Sequence, residues 1–194
     1  MKSNDDHRSD PRLAYPLAQM KSRFKLSAPD VPGVELETID RRHLDLLRTL
    51  KNAHRRRFFF QDEISEAAQQ QWYDGYCERP DDWMLIVRGR QIDTGCIGYR
   101  LRDDAFDLYN VLRDERVPTH VRTMSAGLDI LCSYLSAVST APIRGRVLAD
   151  NPVVRWSKGR GFAAVATGTQ DHLSYVVLEF DRRRARHRVD VTCL

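Results

Sequence analysis

The sequence predicts a single α/β domain of about seven strands and about four helices. Two stretches carry that expectation. At 83–112 three apolar runs alternate with polar turns, Arg88-Gly89-Arg90 and Arg102-Asp103-Asp104, the pattern of a three-strand antiparallel meander. At 147–165 a β-branched run ends at Ala149, Asp150-Asn151-Pro152 opens a short helix, Gly159 and Gly161 stop it, and a new apolar run starts at Phe162. Asn151 can accept from the orphan first-turn amides, and Pro152 sits where a missing N–H costs nothing.

The other elements follow from periodicity. Residues 34–39, Val-Glu-Leu-Glu-Thr-Ile, alternate apolar and polar and read as the first strand. Asp40 caps a helix along which Leu44, Leu47 and Leu50 recur at helical spacing. Residues 63–76 read as a second helix with Ile64, Ala68 and Trp72 on one face and Tyr73 and Tyr76 beside it. Leu128, Leu131, Leu135 and Val138 mark the buried face of a third helix, and Pro142 ends that segment. Strands at 143–149 and 175–180 complete the domain, set at 31–181. A polar tail, 1–30, carries Pro11, Pro16 and Pro29, and a basic tail covers 182–194.

Composition narrows the class. A chain of 194 residues with 42% hydrophobic content can bury one sizeable core. No apolar run approaches the roughly 18 residues of a membrane helix. The charged start, MKSNDDHRSDPR, is not a secretory signal. Cys77, Cys96, Cys132 and Cys193 show no paired spacing, so neither a metal site nor a disulfide frame is expected, and the cytoplasm is the expected compartment. A net charge of +4 suits an anionic partner such as coenzyme A, a nucleotide or nucleic acid. The run Arg182-Arg183-Arg184-Ala185-Arg186-His187-Arg188 reads first as a solvated tail. No nucleic-acid-binding motif accompanies it.

The pattern Asn-Pro-x-Val…Trp-Ser-Lys-x-x-Gly-Phe at 151–162 resembles the second cofactor-contacting motif of the GNAT superfamily of acyl-CoA-dependent N-acyltransferases. The element order over 34–181 is similar to that of the same family. The resemblance implies a mixed, mostly antiparallel central sheet and acetyl-CoA as acyl donor. Arg122-x-x-Ser125-x-Gly127 resembles the family's main cofactor motif, which has glycine where this chain has Ser125. By the resemblance Arg122, Thr123, Met124, Ser125, Ala126 and Gly127 would hold the pyrophosphate. Free amides and the helix dipole attract an anion there, and an arginine adds charge-assisted hydrogen bonds. Asn110, Val111 and Leu112 would lie along the pantetheine arm where the strand splays from its neighbour, and Asn151 would also contact the cofactor.

Acyl transfer to an amine needs a base, a polarised carbonyl and a proton for the departing thiolate. The base candidates are Asp107 and Tyr109, with Glu66 behind them. Asp107 reads equally well as a solvent-facing strand position. The family's acid, a tyrosine four residues before the Gly-Phe glycine, is Ser157 here, with Lys158 ranked after it. Cys96 admits a covalent scheme, but a strand cysteine reads first as a small apolar residue.

The first half resembles the amino-sugar acyltransferases through Arg57, Phe58-Phe59, Ile64-Ser65, Trp72-Tyr73 and Gly98. It departs from them at Leu50-Lys51-Asn52, where that family often has Trp-Arg-Asn. Arg57, Phe58 and Trp72 are the acceptor candidates. Two readings of 54–60 stand: a basic turn with core phenylalanines, or an acceptor loop for an anionic, ring-bearing substrate. The expected function is direct transfer of an acetyl group to a primary amine of a small molecule, with a nucleotide-linked amino sugar as leading acceptor. The alternatives are a non-catalytic acyl-CoA-binding module, or acetylation of a protein or aminoacyl-tRNA amine. A homodimer is compatible with either.

Overall fold

The computed structural model describes residues 23–102, 104–117 and 122–194. The start of the expected N-terminal tail, 1–22, residue 103 of the expected turn 102–104, and residues 118–121 lie outside the described residues. Nine strands form one sheet: β1 (Phe24–Ser27), β2 (Val34–Thr38), β3 (Asp82–Gly89), β4 (Ile92–Arg102), β5 (Ala105–Arg113), β6 (Ile143–Leu148), β7 (Phe162–Gln170), β8 (Leu173–Phe180) and β9 (Asp190–Cys193). Their spatial order is β7-β8-β6-β5-β4-β3-β2-β1-β9. Only β5 and β6 run parallel; the other pairings with a described register are antiparallel. Among the described residues the α-helices are α1 (Leu44–Ala53), α2 (Glu66–Cys77), α3 (Thr123–Val138) and α4 (Val153–Lys158).

The expected seven strands become nine because two segments assigned to the tails pair with each other. Phe24 to Ser27 align antiparallel with Cys193 to Asp190, and β1 also pairs with β2. The run 182–188 is anchored at Arg182, Arg186 and His187, while Arg183 and Arg188 are exposed. Arg182 donates to the carbonyls of Ser136, Ser139 and Ala141 at the C-terminal end of α3, where orphan acceptors and the negative end of the helix dipole favour a cation. Arg186 pairs with Asp129 at 3.1 Å and His187 meets Asp30 at 2.7 Å.

The three-strand meander forms, but its first turn lies later than the expected Arg88-Gly89-Arg90, because Arg88 and Gly89 still pair within β3. Gly89 faces Ile92 across the two-residue turn Arg90-Gln91, whose φ angles of 50° and 69° are those of a type I′ hairpin. On one face of the sheet α3 buries Leu128, Leu131 and Leu135, the predicted stripe, against Leu85, Val87, Ile97, Phe106 and Ile143. Val154 and Trp156 of α4 pack on the same cluster. On the other face α1 and α2 cover Met84, Ile86, Cys96 and Leu112. Asp40 and His43 form the capping box that starts the turn into α1. Ser65 caps α2, accepting from Ala68 N–H at 3.2 Å. Helix α2 therefore begins after Ile64, and its buried residues are Gln69, Tyr73 and Tyr76 instead of the predicted Ile64, Ala68 and Trp72 face.

Candidate active site

β5 and β6 pair only as far as Phe106–Ile143, Asp107–Arg144 and Leu108–Gly145, and then diverge. The divergence coincides with a bulge. Gly98 faces Tyr109 and Cys96 faces Leu112, so Ile97 opposes both Asn110 and Val111. Asn110 sits at φ +48°, a left-handed conformation that asparagine tolerates better than most residues. The extra residue resets the alternation, so Tyr109 and Leu112 both face α1 and α2. A cleft of about 570 Å³ opens through the gap. It reaches from Lys51, Phe58 and Arg100 on the α1 side to Met124, Val153 and Trp156 on the α3 side.

The cleft gathers many of the residues expected at a site: Arg57, Phe58, Asp107, Tyr109, Asn110, Val111, Leu112, Met124 and Asn151 all line it. Asn151 caps α4 through Val153 N–H at 3.0 Å, and its Nδ2 donates to the Arg57 carbonyl at 3.1 Å, tying the turn after α1 to the start of α4. Asn52 clamps the far end of the same loop. Its side-chain amide donates to Ile64 O and accepts from Ile64 N–H, both at 2.9 Å.

Others of the expected residues lie elsewhere. Trp72 stacks on Tyr76 at 5.2 Å and does not line the cleft. Ser157 is buried and its hydroxyl donates to Val153 O at 2.7 Å, within its own helix, so Trp156 is the residue of that turn that faces the cleft. Arg122, Thr123, Ser125, Ala126 and Gly127 form the start of α3 beside the cleft instead of its wall. Ala126 N–H already bonds Arg122 O at 3.1 Å, so the amides of Thr123, Met124 and Ser125 precede the helical ladder. Gly127 has a packing reason: a Cβ there would lie 2.6 Å from Val87 Cγ1.

The base candidates are engaged. Asp107 pairs with Arg100 at 2.8 Å, and that guanidinium lies over the Tyr109 ring. Tyr109 donates its hydroxyl to Asp82, and burial together with that carboxylate holds its pKa well above the usual tyrosine value. Gly98 makes this possible, because a Cβ there would meet the Tyr109 ring at 2.5 Å. Cys96 is buried and donates to Asn110 O at 3.4 Å; burial pushes its thiol up to about 12, which removes it as a nucleophile.

Three features of the cleft escaped sequence reasoning. Lys51 leaves the last turn of α1, lies 3.1 Å from the Phe58 ring centre and donates to Asn110 Oδ1 at 2.9 Å. Burial lowers its pKa to about 8. Arg146 stands between the rings of Phe59 and Tyr175, at 4.9 and 5.3 Å. His54 is buried with Nε2 3.7 Å from Glu115 Oε1. The signal for Lys51 was present: it follows Leu47 by four residues, which puts an ammonium on the apolar stripe of α1.

No protein-family model matches the sequence, and no curated protein sequence matches it. Solved structures do match. A GNAT-family protein from Chromobacterium violaceum superposes with a TM-score of 0.66 at 16% identity, covering 81% of this chain and 87% of that one. The chain has the GNAT fold. Spermidine N-acetyltransferase from Vibrio cholerae, solved with CoA and spermine, gives 0.67 at 11% identity, over 80% of this chain and 99% of that one. A ribosomal L7/L12 alpha-N-protein acetyltransferase in complex with coenzyme A gives 0.64 at 14% identity, over 86% and 97%. Among the described residues no helix is long and apolar enough to cross a membrane, and no group of three or more His, Cys, Asp or Glu could hold a metal ion.

Proposed function

We propose that the protein is an acyl-CoA-dependent N-acetyltransferase. The observation that carries this reading is the cleft between the diverging β5 and β6, with a bulge at Asn110 on its wall and the first turn of α3 at its rim. The residues present fit an acyl-CoA. The amides of Thr123, Met124 and Ser125 suit a pyrophosphate, with Arg122 beside them. Val111 and Leu112 suit an amide-bearing arm along the strand. Bound there, acetyl-CoA supplies the activated acyl group. The backbone around Asn110 is the candidate for polarising its carbonyl.

The acceptor side favours an anionic molecule with a ring. Arg146 lies between two aromatic rings, and no carboxylate pairs with it among the described residues. Arg57 and Arg113 line the same cleft. Such a lining repels a polyamine and suits a phosphate or carboxylate held beside a flat ring. A nucleotide-linked amino sugar meets that description. The inward-turned Ser157 favours a second reading, a non-catalytic acyl-CoA-binding module, because no hydroxyl of α4 replaces the family's acid.

Calorimetric titration with acetyl-CoA comes first. Saturable one-site binding in the micromolar range is expected, and absence of binding rejects both readings. Coenzyme A release is then assayed with a nucleotide-linked amino sugar, with spermidine and with a peptide bearing a free N-terminus. Turnover of the amino sugar and not of spermidine is the expected result. Binding without turnover of any amine selects the non-catalytic module.

A further inference from the structure

We propose that Lys51 is the general base of the acceptor site, its amine taking the proton from the acceptor ammonium. The assignment rests on the transferase reading above. It starts from position. Lys51 is the point where α1 touches the bulge, and its Nζ faces the cleft at the level where β5 leaves β6. Its contacts are uncharged: the Asn110 amide, the Phe58 ring and the neighbouring Cys96 thiol. No carboxylate among the described residues pairs with it, so no partner holds the amine in its charged form.

The other titratable and charged groups around Lys51 and the cleft have different commitments. Arg57 and His54 come from the turn after α1, Cys96 and Arg100 from β4, Asp107, Tyr109 and Arg113 from β5, Glu115 from the segment after it, and Arg146 from β6. Asp107 is neutralised by Arg100, and Tyr109 donates to Asp82. His54 lies beside Glu115, and Cys96 is held as a thiol by burial. The arginines give the cleft a positive balance, which favours the uncharged form of a neighbouring amine. A pKa near 8 leaves a usable fraction of free amine at neutral pH and lies close to that of a thiol leaving group, about 8.5.

The step balances with this residue alone. The Lys51 amine takes one proton from the acceptor ammonium and becomes charged. The freed lone pair forms the bond to the acyl carbon, the carbon–sulfur bond breaks, and its electron pair leaves on the thiolate. Lys51 returns its proton to that sulfur. The second proton of the acceptor nitrogen goes to water.

The experiment compares wild type with Lys51→Met and Lys51→Arg in two assays across pH 6 to 9.5. One acceptor is the amine of the panel above that is turned over. The other is hydroxylamine, which is already unprotonated at neutral pH. With the first, kcat/KM of the wild type rises with pH along a limb near 8. Both variants lose that limb and about 10²- to 10⁴-fold in rate. With hydroxylamine both variants lose markedly less than with the first acceptor, since no proton has to be removed before attack and only the return of a proton to the sulfur is missing. Recovery of the rate by Lys51→Arg, which keeps charge and donor but cannot lose a proton, overturns the proposal. So does a limb that survives in Lys51→Met.

A second measurement needs no acceptor. NMR titration of ε-carbon-labelled lysine is expected to give Lys51 a midpoint near 8, and a midpoint at the ordinary lysine value overturns the assignment. Acetyl-CoA affinity separates the two levels of the argument. A wild type that fails to bind acetyl-CoA rejects the transferase. A wild type that turns over while both variants match it rejects only Lys51.

Discussion

Lys51 Nζ donates to Asn110 Oδ1 at 2.9 Å, which fastens the last turn of α1 to the bulged residue of β5, held at φ +48°. Two costly features thus meet at one point. A half-buried ammonium is set against a left-handed residue in a strand. Local strain and buried charge together are what a binding or catalytic site accumulates, and both carry a stability cost.

The first prediction follows from the charge. The Lys51 pKa falls from 10.5 to about 8 on folding, because burial disfavours the ammonium. For a base with a lowered folded value, the penalty is absent above about pH 10.5. It grows as pH falls toward 8 and is constant below that. The full drop corresponds to roughly 3 kcal/mol. Lys51→Met removes this cost and loses one hydrogen bond, worth about 1 kcal/mol. The variant is expected to be more stable than wild type by about 1–3 kcal/mol at pH 7 in urea unfolding, with the gain gone at pH 10.5. A loss of stability at pH 7 would mean that Lys51 serves the fold.

The second prediction concerns the strained partner. Asn110→Gly accepts φ +48° without a Cβ clash and loses only the Lys51 contact, so its stability is expected to stay within about 1 kcal/mol of wild type. Asn110→Val puts a β-branched residue where the left-handed region is most unfavourable, costing about 1–3 kcal/mol. If valine is tolerated as well as glycine, the bulge is not fixed at Asn110. Chemical shifts of the Tyr109 and Leu112 side chains report whether both remain on the α1 face.

The bulge also marks the limit of what the sequence made legible. A strand and a capped helix are local, and their signals were local: Asp40 and Asn151-Pro152 stand where they were expected to act, and the first meander turn lies within two residues of its signal. A bulge is a relation between two strands, two residues against one, and nothing in the run Tyr109-Asn110-Val111-Leu112 states its register. The pairing of Phe24 with Cys193 joins opposite ends of the chain and is equally silent. The slip in α2 has a different cause. Ile64 was counted into the helix, but Ser65 caps it, and the Asn52 clamp holds Ile64 in the preceding loop. In the site, side chains could be nominated, but which of them were already engaged could not. Asp107, Tyr109 and Ser157 are the right chemical types, each turned to a neighbour.

Gly127 gives the third prediction. It stands in the phosphate-loop pattern, yet the space of its missing Cβ is filled by Val87 of β3. Gly127→Ala is expected to cost about 1–3 kcal/mol through overpacking. The paired change Val87→Ala relieves it, so the double variant is more stable than additivity predicts. Acetyl-CoA affinity of the double variant should match that of Val87→Ala alone. Charge in the phosphate loop is tested at half-buried Ser125, where Ser125→Asp should weaken binding by repulsion. Additive behaviour of Gly127→Ala and Val87→Ala would break the packing account.

The fourth prediction is a pH dependence from the capping box. His43 is buried, and its Nδ1 accepts from Asp40 N–H at 3.0 Å, which requires the neutral ring. Burial lowers its pKa below the ordinary 6.5, against the opposing pull of Asp40. For such a base, stability is complete above about 6.5. It falls with pH below that value, because the unfolded chain takes up the proton first. His43→Gln keeps an acceptor for the box and has no such proton to bind. Between pH 7.5 and 5 the wild type should therefore lose more stability than His43→Gln, read as the shift of the urea midpoint. Parallel shifts in the two proteins would show that His43 does not titrate differently on folding, and the acid limb would then belong to the carboxylates.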